Sequence, residues 1–199
     1  MATRALRRSA LVLLAALALG CSSTRIVATW SDPESAPVQF RKVVGVALSG
    51  DTTLRRIAED EFVRVVGPAL AIAGYRVLPD EEMRDRERAQ ARVEAAGADG
   101  AVVYRLAGVE TRERWVPPTT YGHAWGYWGW AAPMVYEPGY LTTDRYVQIE
   151  TTVYDVASAR LVWAARSETL NPDDAHDVID EVVRASVDAL REAGLLPPE

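Results

Sequence analysis

The chain has 199 residues, with 22 Lys and Arg against 28 Asp and Glu. Residues 1–20 carry Arg4, Arg7 and Arg8 and no acid, so the remaining 179 residues hold 19 basic (22 − 3) and 28 acidic side chains, a net −9. That length builds one domain with a proper core, and that charge weighs against nucleic acid and anionic lipid surfaces as main partners.

The first twenty residues read as an export leader: three arginines, an apolar run from Ala10 to Leu19, then Gly20 as a small residue before Cys21. The run is too short to span a bilayer as a helix. Cys21 is the only cysteine. Residues 21–40 form a tether with an edge strand over Arg25–Trp30, followed by a turn at Ser31-Asp32-Pro33-Glu34. Lys42 to Leu48 is apolar and β-branched and reads as a buried strand. Gly50-Asp51-Thr52-Thr53 offers capping side chains to a helix whose stripe is Leu54, Ile57, Ala58, Phe62, Val65 and Val66. Glu59, Asp60 and Glu61 read as an acidic run on its surface, and Gly67-Pro68 ends it.

Tyr75 to Leu78 is expected as a second short strand. Residues 81–96, dense in charge and alanine, read as a surface helix with Ala89, Val93 and Ala96 inward and Gly97 at its end. A third strand is expected over Ala101–Arg114, and a long irregular insertion over 115–144. Tyr146–Tyr154 alternates, Asp155–Arg160 turns, and Leu161–Thr169 returns as its hairpin partner. Asn171-Pro172-Asp173-Asp174 reads as a helix start, with Asn171 as the cap and the acids at the positive end of the dipole. Val178, Ile179, Val182, Val183, Val187 and Leu190 form the buried stripe, and Gly194 ends the helix. The order is β-α-β-α-β-(aromatic loop)-β-β-α. The expected fold is α/β (α+β): one mixed sheet with helices packed on it, in a single domain over 41–196.

Ala18-Leu19-Gly20-Cys21 resembles the lipobox of a bacterial lipoprotein signal peptide. The resemblance implies lipid attachment at Cys21, with more than one acyl chain holding the protein to a membrane. It also leaves no thiol for disulfide, metal or nucleophilic chemistry. Ser22 lacks the acidic residue that retains such proteins in the inner membrane, which implies the periplasmic face of the outer membrane. The KVVGVAL strand, Gly97-Ala98-Asp99-Gly100 and the pair Tyr154-Asp155-Val156 and Leu161-Val162-Trp163 resemble an uncharacterised family of proteobacterial envelope lipoproteins. The element order is also distantly similar to the periplasmic domain of the curli secretion channel lipoprotein and to the amino-terminal domain of TolB. Both imply assembly or partner binding rather than catalysis.

The insertion carries the most unusual chemistry. Trp125, Tyr127, Trp128, Trp130, Tyr136 and Tyr140 are interleaved with glycine and proline. Flat apolar rings with a polar edge suit interfaces, sugar rings and lipid headgroups. Three readings stand open: the rings fold back over an open part of the sheet, they bind an envelope protein, or they contact peptidoglycan or lipid. Elsewhere little points to reaction chemistry. His123 has no partner at metal-like spacing, and His176 with Asp180 reads as a solvated acidic helix start rather than a metal site. No nucleophile-elbow, Walker or dinucleotide pattern occurs. No enzyme activity, cofactor or metal is therefore expected.

Overall fold

The apolar run at 42–48 forms β2 (Val43–Leu48), which sits between two parallel neighbours, β3 (Ala71–Ala73) and β4 (Gly100–Val116). The architecture is that of a computed structural model, which describes residues 23–35, 38–83, 85–121 and 135–198. Parallel pairing requires a crossover, and two helices supply it: α1 (Thr52–Val66) before β3 and α2 (Arg86–Ala95) before β4. From β4 onward the chain is antiparallel, through β7 (Tyr140–Asp155) and β8 (Arg160–Leu170). The edge strand expected in the tether is β1 (Thr24–Ser31), antiparallel to β8. The six-stranded sheet has the order β1-β8-β7-β4-β2-β3. A separate two-stranded sheet joins β5 (Thr119–Tyr121) to β6 (Val135–Glu137), and α3 (Ala175–Glu192) closes the chain.

Period-two alternation divides the strand residues between two faces. One face packs against α1 and α3: Val43, Val102, Tyr104, Val153, Trp163 and Ala165 meet Phe62 and Val66 of α1 and Val182, Val183, Val187 and Leu190 of α3. Phe62 is fully buried, a burial that contributes about 2–3 kcal/mol. Its ring lies where a side chain on Gly45 would be, since a Cβ there would fall 2.2 Å from the ring. The opposite face carries a smaller cluster of Val44, Val46, Leu78, Val93, Ala98 and Val156 beneath α2.

The ends of the helices show why they stop and start. Asp51 caps α1 by accepting from the N–H groups of Thr53 and Leu54, and Gly67 ends it at φ 105°. Asp85 caps α2, which begins later than the charge-dense segment at 81 suggested. The cap of α3 is Asp174 rather than Asn171, with its carboxylate on the N–H groups of His176 and Asp177. Asn171 instead adopts a left-handed φ of 47° and closes the β7–β8 ladder. Its N–H donates to the Arg145 carbonyl, and its side-chain oxygen accepts from the Arg145 N–H.

Two further expectations are corrected. The short strand lies at 71–73 rather than 75–78, because hydrogen bonds from Leu70 and Ala71 to the Gly67 carbonyl return the chain at once to the edge of β2. Residues 74–76 then form a 3-10 turn. The irregular insertion over 115–144 is also narrower than expected. Residues 115–116 and 140–144 are regular strand within β4 and β7, and 119–121 pair with 135–137. Glycine and proline density at the centre of the segment concealed the alternation on its flanks.

Candidate functional site: a projecting ribbon and an apolar groove

The β4–β7 pair outruns the rest of the sheet. β2 accompanies β4 only as far as Arg105, and β8 accompanies β7 only from Tyr146 onward. Thr111↔Arg145 to Val116↔Tyr140 is therefore a two-stranded ribbon of six cross-strand pairs. At about 3.4 Å per residue it projects about 20 Å from the sheet. A ribbon of two strands has no sheet neighbour to bury its faces and is marginal in water without a docking partner. Trp115 and Leu141 face each other near its outer end and are 58% and 63% exposed, and Tyr140, paired with Val116 on the other face of the ribbon, is 57% exposed. The Trp115 ring lies over Gly139, where a Cβ would come within 2.5 Å of it. The opposite face is charged: Arg112 pairs with Glu110 and Glu168 and stacks over Tyr146, and Arg105 pairs with Glu150.

At the root of the ribbon is an apolar groove of about 540 Å³, between β4, β7 and the first turns of α1 and α3. A β-bulge makes its floor continuous. The register shifts between Leu106↔Ile149 and Gly108↔Gln148, so one extra residue in β4 keeps Val109 on the same face as Leu106. Leu48, Leu106 and Val109 are exposed there, backed by Val147, Ile149, Val178 and Ile179. Few polar groups reach it, and most are engaged. Arg145 donates to the Pro172 carbonyl at 2.6 Å, and the Asp174 carboxylate caps α3. The Tyr104 hydroxyl shares a hydrogen bond with Ser186 at 3.0 Å. Burial pushes the Tyr104 phenol well above its ordinary value, so it stays neutral. The arrangement can hold an apolar group.

One part of the acidic run at 59–61 is not on the surface. Glu59 is buried, and its carboxylate accepts from the Ala47 N–H at 3.1 Å, from Arg55 Nε at 2.9 Å and from the Tyr75 N–H. Arg55, also buried, pairs in addition with Asp80 and donates to the Leu78 carbonyl. The network ties α1 to the loop after β3, and both carboxylate oxygens are taken. The sequence held the signal: Arg55 and Glu59 are four apart on the same helical face as Ala58 and Phe62.

Of the residues singled out in the sequence, Cys21, Trp125, Tyr127, Trp128 and Trp130 lie outside the described residues, as does His123. Tyr136 lies in β6 and Tyr140 at the start of β7, so the strands on both sides of the aromatic segment converge on the ribbon. Asp180, considered with His176, accepts from Arg184 and Arg64 instead. Among the described residues no group of His, Cys, Asp or Glu is placed to hold a metal, and no helix is long and apolar enough to cross a membrane. Trp115 opens the segment read as the aromatic insertion, whereas Leu141 and the groove are the parts of the site that residue patterns did not reveal.

No protein-family model matches the chain, and neither does any curated protein. Among solved structures, the chain is similar to the PelC dodecamer from Paraburkholderia phytofirmans, with 12% identity over 88% of this chain and 99% of that one, at a TM-score of 0.46. It is also similar to the lipoprotein GNA1162 from Neisseria meningitidis, with 10% identity over 76% of this chain and 99% of that one, at a TM-score of 0.36. Likeness at this level does not carry function from one chain to another.

Proposed function

We propose that this chain is a lipid-anchored, non-catalytic protein of the cell envelope, an accessory or adaptor that binds another envelope protein through the Trp/Tyr-rich segment at the end of its ribbon. One observation carries the reading: the β4–β7 ribbon leaves the packed sheet and presents Trp115, Tyr140 and Leu141 exposed where the aromatic segment begins and ends. Long projecting segments with exposed aromatics are costly to keep in water unless a partner covers them. The lipobox-like leader supplies the anchor at Cys21, and Ser22 after it favours the periplasmic face of the outer membrane.

Photo-crosslinking in living cells tests the reading, with a photoreactive residue replacing Trp128 in the full chain. A discrete higher-mass protein adduct is expected from this position and not from Arg88 on α2. Adducts of equal yield from Arg88, or none from position 128, would sink it. A second reading, a glycan- or lipid-binding module, draws on the Trp115 ring held against Gly139, a flat platform of the kind sugars stack on. It expects tryptophan fluorescence to change when peptidoglycan fragments are added.

A further inference from the structure

The described chain begins at the ribbon's end of the sheet. The Ser23 carbonyl accepts from the Leu170 N–H at 3.1 Å, and the Ser23 hydroxyl donates to Glu181 at 2.9 Å. Thr24 is paired with Thr169 through their hydroxyls at 2.6 Å. The emerging chain is thus held at Leu170, whose partner across the ladder is Tyr146, where the two-stranded ribbon starts. Two residues, Cys21 and Ser22, remain between this point and the diacylglyceryl group on the sulfur. They span at most about 7 Å, and the cysteine side chain adds a few ångströms. Leu141 lies five residues beyond Tyr146, about 17 Å out along the strand. The ribbon therefore overreaches the tether by several ångströms.

We propose that this end of the domain rests on the lipid surface that holds Cys21, with Trp115, Tyr140 and Leu141 seated in its headgroup layer. The proposal rests on lipid attachment at Cys21. An anchor this short on the same end as a longer ribbon brings the ribbon's outer residues to the bilayer, at the depth of about 5–10 Å that interfacial apolar groups occupy. The residue types fit, because Trp and Tyr are the side chains enriched at that boundary. Exposure fits as well. Of the nine large apolar side chains exposed among the described residues, all but Val27 and Trp30 lie on the ribbon, at its root or at Leu170. So does charge: residues 106–116 and 140–149 balance Glu110, Glu113 and Asp144 against Arg112, Arg114 and Arg145. The acidity of the whole chain, which weighs against anionic surfaces, is located elsewhere. A protein partner of the aromatic segment would then be met at the membrane.

The test is site-directed spin labelling of the full lipidated chain in vesicles of phosphatidylethanolamine and phosphatidylglycerol. Lipidation occupies Cys21, so each introduced cysteine carries the only label. Leu141→Cys and Tyr140→Cys report on the ribbon, and Trp30→Cys on β1. The expected result is a severalfold higher ratio of oxygen to water-soluble nickel accessibility at 140 and 141 than at 30. Labels at 140 and 141 as open to nickel as the label at 30, in protein that floats with the vesicles, would overturn the contact and leave the anchor standing. Protein that fails to float would overturn both. Labels open to nickel in vesicles but shielded in native envelope fragments would assign the ribbon to a protein partner and overturn the lipid contact.

Discussion

The body of the domain and its ribbon are built from the same kind of strand, yet they bury opposite amounts of it. Val102 and Val153, paired in the body, are almost fully buried between the sheet and its helices, whereas Trp115 and Leu141, paired on the ribbon's same face, stand open. Strand pairing alone does not make a core. The body has α1 and α3 against that face, and the ribbon has nothing described against it. Stability should therefore be concentrated in the body and binding in the ribbon, and substitutions can separate the two.

The largest effect is expected at Glu59. Its carboxylate is the partner of buried Arg55 and of two backbone N–H groups, so Glu59→Ala breaks a buried ion pair, leaves Arg55 with Asp80 and the Leu78 carbonyl alone and strands both N–H groups, which should cost about 3–5 kcal/mol in urea unfolding. A loss below about 1 kcal/mol would show that the network does not hold α1 to the loop after β3. Gly45→Ala comes next. The new methyl would overlap the Phe62 ring, and overpacking of this kind costs about 1–3 kcal/mol.

A smaller effect, dependent on pH, is expected at Asp99. Burial would raise its carboxyl, but the N–H groups of Lys42 and Arg41 and the Arg41 guanidinium together hold it below the usual carboxylate value. A lowered folded-state value contributes stability above the unfolded value, near about pH 4, and loses it as pH falls through the folded value. Asp99→Asn should thus lower the urea midpoint at pH 7, and the gap to the natural chain should narrow toward pH 3. Because Asp99 is partly exposed, the effect should be about 1 kcal/mol or less. An unchanged gap across that range would remove Asp99 from the acid response. The smallest stability effect belongs to Trp115→Ala, within about 0.5 kcal/mol of the natural chain. The same substitution should lower the yield of the crosslink from position 128 in cells.

Much of the body was legible because its residues obey one period at a time. The α3 stripe, the β-branched run of β2 and the alternation of β7 and β8 each stand in the structure close to where the pattern put them. The misreadings have local causes. Asn171 resembles a cap by residue type, but a left-handed turn uses its amide on the ladder, and Asp174 takes the cap. Glu59 resembles its acidic neighbours, and only its spacing from Arg55 distinguishes it. Residues 111–114 of the ribbon were read as strand, but its partner at 140–145 was hidden because neither face is fully buried, so it shows charge and aromatic residues where a core strand shows valine. The groove depends on a bulge at Ala107 and on the meeting of α1 and α3, both products of tertiary packing that no residue pattern encodes.

The most direct test of the division between body and ribbon is thermal unfolding of a shortened chain. Residues 113–143 would be replaced by Asn-Gly, joining Arg112 to its cross-strand partner Asp144 through a two-residue turn that suits a hairpin. The expected result is an unfolding midpoint equal to that of the natural chain, because the proposed function has the segment bind outward and the described ribbon leaves the core to α1 and α3. A clearly lowered midpoint would contradict this, and would mean that the aromatic segment folds back over the sheet and belongs to the body.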